Sequence, residues 1–256
     1  MELIKVNGVA LEVQRLAGPP GGHRAPIVFL HEGLGSVAMW RDWPQRVCGD
    51  TGRAGVVYSR RGYGNSDPVV EVRGAGRLAP DYMHREAWEV LPDLLAQLDI
   101  ERPVLLGHSD GGSIALLHAS RHPLTACVVM APHVVVEDVS VRSIGEARDA
   151  YEGTLRERLG RYHADVDGAF WQWNDIWLSP QFRSFDIRED CRRISAPLLA
   201  MQGVDDVYGT MHQIEEIAPT QGLFEMEKLA DCGHSPYRDQ PELSLRRVSR
   251  FLAVLP

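Results

Sequence analysis

Lysine is nearly missing from these 256 residues: Lys5 and Lys228 are the only two, so the 27 basic residues are otherwise arginines. The arginines form no cluster, and with 35 acidic residues the chain carries a net charge of −8. Both facts argue against a nucleic-acid partner, which calls for a concentrated basic face. Long apolar runs are lacking too, and none approaches the ~20 residues of a membrane span. The opening stretch, MELIKVNGVALEVQRLAG, has no charged-then-apolar signal pattern and no small-residue cleavage site. Cysteine is sparse: Cys48, Cys127, Cys191 and Cys232 stand far apart, in no metal-type pair spacing. They are expected as free thiols, and the expected compartment is the cytoplasm, with no membrane partner. No internal repeat and no low-complexity linker interrupts the chain.

What the sequence does contain is an alternation of short β-branched runs with longer amphipathic ones, the pattern of a mainly parallel sheet covered by helices. ELIKVNGVALEV reads as a hairpin turned by Asn7-Gly8. Buried-strand candidates follow at 26–31, 55–60, 103–108, 126–132 and 197–203, with a less apolar strand at 223–230. Helices are expected near 37–50, 81–98, 110–122, 210–218 and 239–254, the second kinked at Pro92. The rhythm breaks once, between about Val134 and Asp186, where charged stretches precede AFWQWNDIW. A helical insertion at 134–186 is the simplest reading, leaving 1–133 and 187–256 as one core.

Gly107-His108-Ser109-Asp110-Gly111 follows the apolar run PVLL and precedes a helical pattern. Strand, sharp turn and helix make the setting of a nucleophile elbow, in which the residues two before and two after the serine must lack a β-carbon. A serine hydroxyl is a poor nucleophile at neutral pH without a base in hydrogen-bond reach and an acid to orient that base. In elbow folds the order along the chain is serine, acid, histidine. QGVDDVYGT supplies Asp205 and Asp206, and CGHSP supplies His234, both where a parallel sheet exposes its carboxyl edge.

These motifs, with FLHEGLGS at 29–36 and YSRRGYGNSDP at 58–68, carry a resemblance to the α/β-hydrolase superfamily over nearly the whole chain. The resemblance implies a mainly parallel central sheet flanked by helices, with the 134–186 insertion as a helical cap. It implies Ser109 as nucleophile, His234 as base and Asp206, three residues after Gly203, as acid. Asp205 is the neighbouring alternative, and Glu137 or Asp138 would serve in members that take the acid from the preceding strand. The oxyanion hole would combine the Asp110 N–H with one from His31-Glu32-Gly33-Leu34-Gly35: Gly33 first, Leu34 as fallback. Glu32 stands where the family usually has glycine, and either faces the pocket or caps a neighbouring loop. Glu32, His108, Trp171, Trp173, Trp177 and Tyr208 are the pocket candidates, with Tyr237 a further wall candidate. RRGYGNSD lacks P-loop spacing and reads as a turn under the oxyanion loop.

The expected function is hydrolysis of a carboxylic ester or lactone of a small to medium, partly apolar substrate, with no metal or organic cofactor, by a monomer or homodimer. A C–C bond hydrolase of aromatic ring-cleavage products, a thioesterase or amidase, and a ligand receptor on the same fold are the alternatives.

Overall fold

Apolar side chains on successive residues of a strand point to opposite faces, so an unbroken apolar run must be covered on both sides. The computed structural model, which describes residues 1–256, shows this in five consecutive parallel strands: β3 (Ile27–Leu30), β4 (Gly55–Tyr58), β5 (Val104–His108), β6 (Ala126–Met130) and β7 (Leu198–Gly203), buried along their whole length. Val28, Leu30, Leu105 and Val129 face one core; Ile27, Phe29, Leu106 and Val128 face the other. The first core is closed by α2 (Asp110–Ala119) and the second by α1 (Trp43–Thr51) and α5 (Pro241–Leu252). The helices α3 (Asp138–Asp149) and α4 (Val166–Trp177) lie between β6 and β7 in sequence.

The eight-stranded sheet runs in the order β1-β2-β4-β3-β5-β6-β7-β8, with β1 (Glu2–Val6), β2 (Val9–Leu16) and β8 (Phe224–Leu229) completing it. Only β1 and β2 run antiparallel to their neighbours. Asn7 and Gly8 take positive φ angles of 49° and 84° in the hairpin turn between them. The chain leaves β3 first for β4 on one side and then for β5 on the other, making the carboxyl ends of β3 and β5 the switch point where open α/β sheets hold ligands. Leu30 is paired with Gly107 across that point.

The expected disturbance at Pro92 is a π-helical turn, Glu86–Val90, inserted between Tyr82–Arg85 and Leu91–Gln97. Proline has no N–H to give to the Ala87 carbonyl one π-turn earlier. His118 Nδ1 donates to that carbonyl instead, at 2.8 Å. The expected helix at 210–218 shortens to His212–Glu215, short of Ala218, whose φ of 32° is not helical, and of Pro219; Gln213 within it turns inward to bond Val134 and Val135. A bridge between Val135 and Asp186 ties together the two ends of the helical segment. No helix is long and apolar enough to cross a membrane. All four cysteines are buried free thiols.

Candidate active site

Ser109 sits between β5 and α2 with φ 53° and ψ −121°, a strained conformation for a residue with a side chain. A β-carbon on Gly107 would overlap the Gly111 carbonyl, and one on Gly111 the Leu30 carbonyl. Both obstacles are backbone, so neither can rotate away. The glycine frame read in the sequence is therefore a steric requirement of this bend.

The strained turn aims Ser109 at a histidine 125 residues away. His234 Nε2 lies 2.9 Å from Ser109 Oγ, and His234 Nδ1 lies 2.8 and 3.0 Å from the two oxygens of Asp206. A carboxylate only accepts, so Nδ1 carries the ring proton and the Nε2 lone pair faces the serine. Asp206 also accepts the Tyr208 N–H at 2.7 Å and the Gln202 side-chain amide at 2.6 Å. Burial alone would raise its carboxyl pKa; the bond and charge of His234, with the Tyr208 N–H, outweigh burial and hold it below the usual carboxylate value. None of the other candidate acids bonds His234. Asp205 bonds Cys232 O through its backbone, Glu137 holds Thr210 and Gln213, and Asp138 pairs with Arg183 at 2.7 Å.

The loop after β3 faces Ser109. Gly35 N–H closes its turn on Glu32 O, while the N–H groups of Gly33 and Leu34 donate to no protein acceptor. The Asp110 N–H is likewise free at the amino end of α2, where the helix dipole favours negative charge. The Asp110 carboxylate is fully buried, accepts the Tyr82 hydroxyl at 2.7 Å and lies 3.7 Å from Arg60; burial raises its pKa. The RRGYGNSD turn does lie under this loop: Arg60 donates its N–H to His31 Nε2 and its Nη2 to Glu32 O, each at 3.0 Å. His163, just before α4, donates Nε2–H to the Leu34 carbonyl and accepts the Gly64 N–H, each at 3.0 Å.

Glu32 lines the cavity and is also tied down within the protein. Its Oε1 accepts from Arg238 at 3.2 Å, and its Oε2 lies 3.5 Å from His108 Nδ1. Burial works against its charge, but His108 and Arg238 prevail and keep the carboxyl well below the usual range. His108 in turn donates Nε2–H to the His234 carbonyl at 2.7 Å. The residue before the serine thus braces the histidine from behind.

Between the loop and α4 lies a cavity of about 130 Å³ lined by Ser109, His234, Glu32, Gly33, Leu34, His108, Trp173, Trp177 and Tyr208, among others. Trp171 does not belong to it. Residues 173 and 177 are four apart and share one face of α4, whereas Trp171 lies on another, stacked under Arg73 and edge-on to Tyr151. Tyr237 is also outside, packed against Trp40 and His108. His133, Ile144 and Ser235 line the cavity without having been singled out by the sequence. His133 was legible in principle, since it follows β6 at the sheet's carboxyl edge. Burial pushes its pKa down to about 3, so it is neutral. A larger cleft of about 390 Å³ beside the β1–β2 hairpin contains none of Ser109, Asp206 and His234.

The arrangement suits one kind of chemistry: transfer of the serine proton to a fixed imidazole beside free N–H donors. A family model described as "Alpha/beta hydrolase family" matches residues 27–246. The chain is similar to the non-heme chloroperoxidase CPO-A1 of Kitasatospora aureofaciens, 27% identical over 217 residues that span 72% of this chain and 75% of that one. It is also similar to the sn-1-specific diacylglycerol lipase ABHD11 of Mus musculus, 23% identical over 259 residues, 89% of this chain and 80% of that one. The crystal structure of the enol-lactonase from Burkholderia xenovorans LB400 superposes with a TM-score of 0.74 at 20% identity, over 98% of this chain and 99% of that one.

Proposed function

The chain belongs to the alpha/beta hydrolase family and is a hydrolase, and from that premise we propose that it cleaves carboxylic esters or lactones with a small acyl part through an acyl-enzyme on Ser109. The observation that carries this reading is the continuous relay from Ser109 Oγ through His234 to Asp206, with distances of 2.9 and 2.8 Å. His234 takes the serine proton as Oγ attacks the carbonyl carbon. Asp206 holds the imidazole in the required tautomer and stabilises the cation that forms. The N–H groups of Gly33 and Asp110 bind the developing oxyanion. His234 then protonates the leaving alcohol, activates a water, and the acyl group leaves as the acid.

The helical segment 134–186 acts as a cap in this reading, roofing the cavity with Trp173 and Trp177 from α4 and Ile144 from α3. The cavity volume of about 130 Å³ favours short acyl groups. Its walls combine indole and aliphatic faces with a neutral histidine, which suits an uncharged, partly apolar ester.

The test is covalent labelling. A fluorophosphonate probe is expected to modify the wild type at Ser109 and to leave Ser109→Ala unmodified, with p-nitrophenyl acetate turned over by the first and not the second. An unlabelled wild type with no ester turnover refutes the proposal.

A further inference from the structure

We propose that Trp173 supplies a third, side-chain donor to the oxyanion site, its indole Nε1–H; this rests on the serine-hydrolase reading above. The first observation is proximity. A β-carbon on Gly33 would overlap Trp173 Nε1 and its neighbouring ring carbons, so the nitrogen-bearing edge of the indole lies directly against the backbone of the oxyanion loop. The second is the fate of that donor. Trp88 Nε1 bonds Leu117 O and Trp177 Nε1 bonds Tyr82, while the nitrogens of Trp40 and Trp43 are sealed in the core. Trp173 is 7% exposed and lines the cavity, and its Nε1 has neither a protein acceptor nor a sealed environment.

An indole N–H can only donate, and it gains most from an acceptor bearing charge. As Ser109 Oγ bonds to the carbonyl carbon and its proton passes to His234, the C=O π pair moves onto oxygen beside Gly33. That oxygen is the acceptor Trp173 meets. The need for contact with the indole also explains the glycine at 33.

The experiment compares wild type with Trp173→Phe, which keeps an aromatic ring and removes the N–H. The expected result is a fall in kcat of about 10- to 100-fold with KM within about twofold, since one oxyanion donor acts on the transition state alone. In the wild type, the assigned Trp173 indole proton is expected to move downfield on binding a trifluoromethyl ketone, which forms a tetrahedral oxyanion on Ser109. This measurement decides the matter if the variant fails to fold. A kcat within twofold of wild type in a folded Trp173→Phe, or an indole resonance unmoved by the ketone, overturns the assignment while Ser109 labelling stands. Loss of Ser109 labelling in the wild type overturns the hydrolase reading and this assignment with it.

Discussion

Gln202 donates its side-chain amide to Asp206 Oδ2 at 2.6 Å from within β7, four residues upstream, and the same nitrogen lies 3.2 Å from the Gly209 carbonyl. Gln202 is completely buried, and the oxygen it holds is the one that also accepts from His234 Nδ1 at 2.8 Å. A hydrogen bond to a charged group contributes about 1.5–3 kcal/mol.

Gln202→Leu is therefore expected to lower kcat/KM roughly 10-fold, about 1.4 kcal/mol of transition-state stabilisation, by loosening the orientation of Asp206. Steady-state kinetics on a p-nitrophenyl ester check this. Unchanged kinetics would mean that the backbone N–H of Tyr208 holds Asp206 unaided.

The acid assignment is tested by comparing four carboxylates. Asp206→Asn is expected to reduce kcat by roughly 10³–10⁴, because the amide favours the wrong imidazole tautomer. Asp205→Asn, Glu137→Gln and Asp138→Asn are expected to stay within about threefold of wild type, since none of the three contacts His234. A collapse on replacing Glu137 or Asp138, with Asp206→Asn active, reverses the assignment.

Chain-length preference follows from the cavity. Acetyl and butyryl p-nitrophenyl esters are expected to be cleaved at least 10-fold better than the octanoyl ester, the extra methylenes having no room to be buried. Ile144→Ala opens the wall on α3 and is expected to narrow that gap. Trp171→Ala, altering a tryptophan outside the cavity, is expected to leave the preference unchanged. Equal rates on all three esters in the wild type would contradict the pocket assignment.

Stability is expected to fall as acid forces buried neutral histidines to take up protons. Burial holds His133 down to about 3 and His118 down to about 4, from the ordinary 6.5, and His31 and His163 are lowered for the same reason. Their folded pKa values lie below the unfolded ones, so the unfolded chain binds more protons as pH drops under about 6.5. Stability is full above that value and is lost progressively towards pH 3–4, by up to about 1.4 kcal/mol per pH unit for each fully neutral histidine. Urea denaturation at pH 7, 6 and 5 measures this, and a midpoint independent of pH across that window would refute it. His118→Gln should flatten the slope.

The local geometry around Ser109 was legible in the sequence because it is a property of adjacent residues. An apolar run ending in Gly-x-Ser-x-Gly permits one strained bend, and the glycines at 107 and 111 are forced by backbone atoms that no side-chain rearrangement moves. The positions of strands β3–β7 and their burial on both faces follow from equally local apolar runs, whereas their order in the sheet does not. The tertiary structure alone decided which groups meet. It set Asp206 rather than Asp205 against His234, turned Trp173 inward and Trp171 outward, held Glu32 between His108 and Arg238, and brought in Gln202, His133 and His163. Each choice depends on the rotation of a helix or loop against a partner far away in the chain, as in the 125 residues that separate Ser109 from His234. Sequence periodicity states that a side chain alternates or recurs; only packing fixes the face on which it comes to rest.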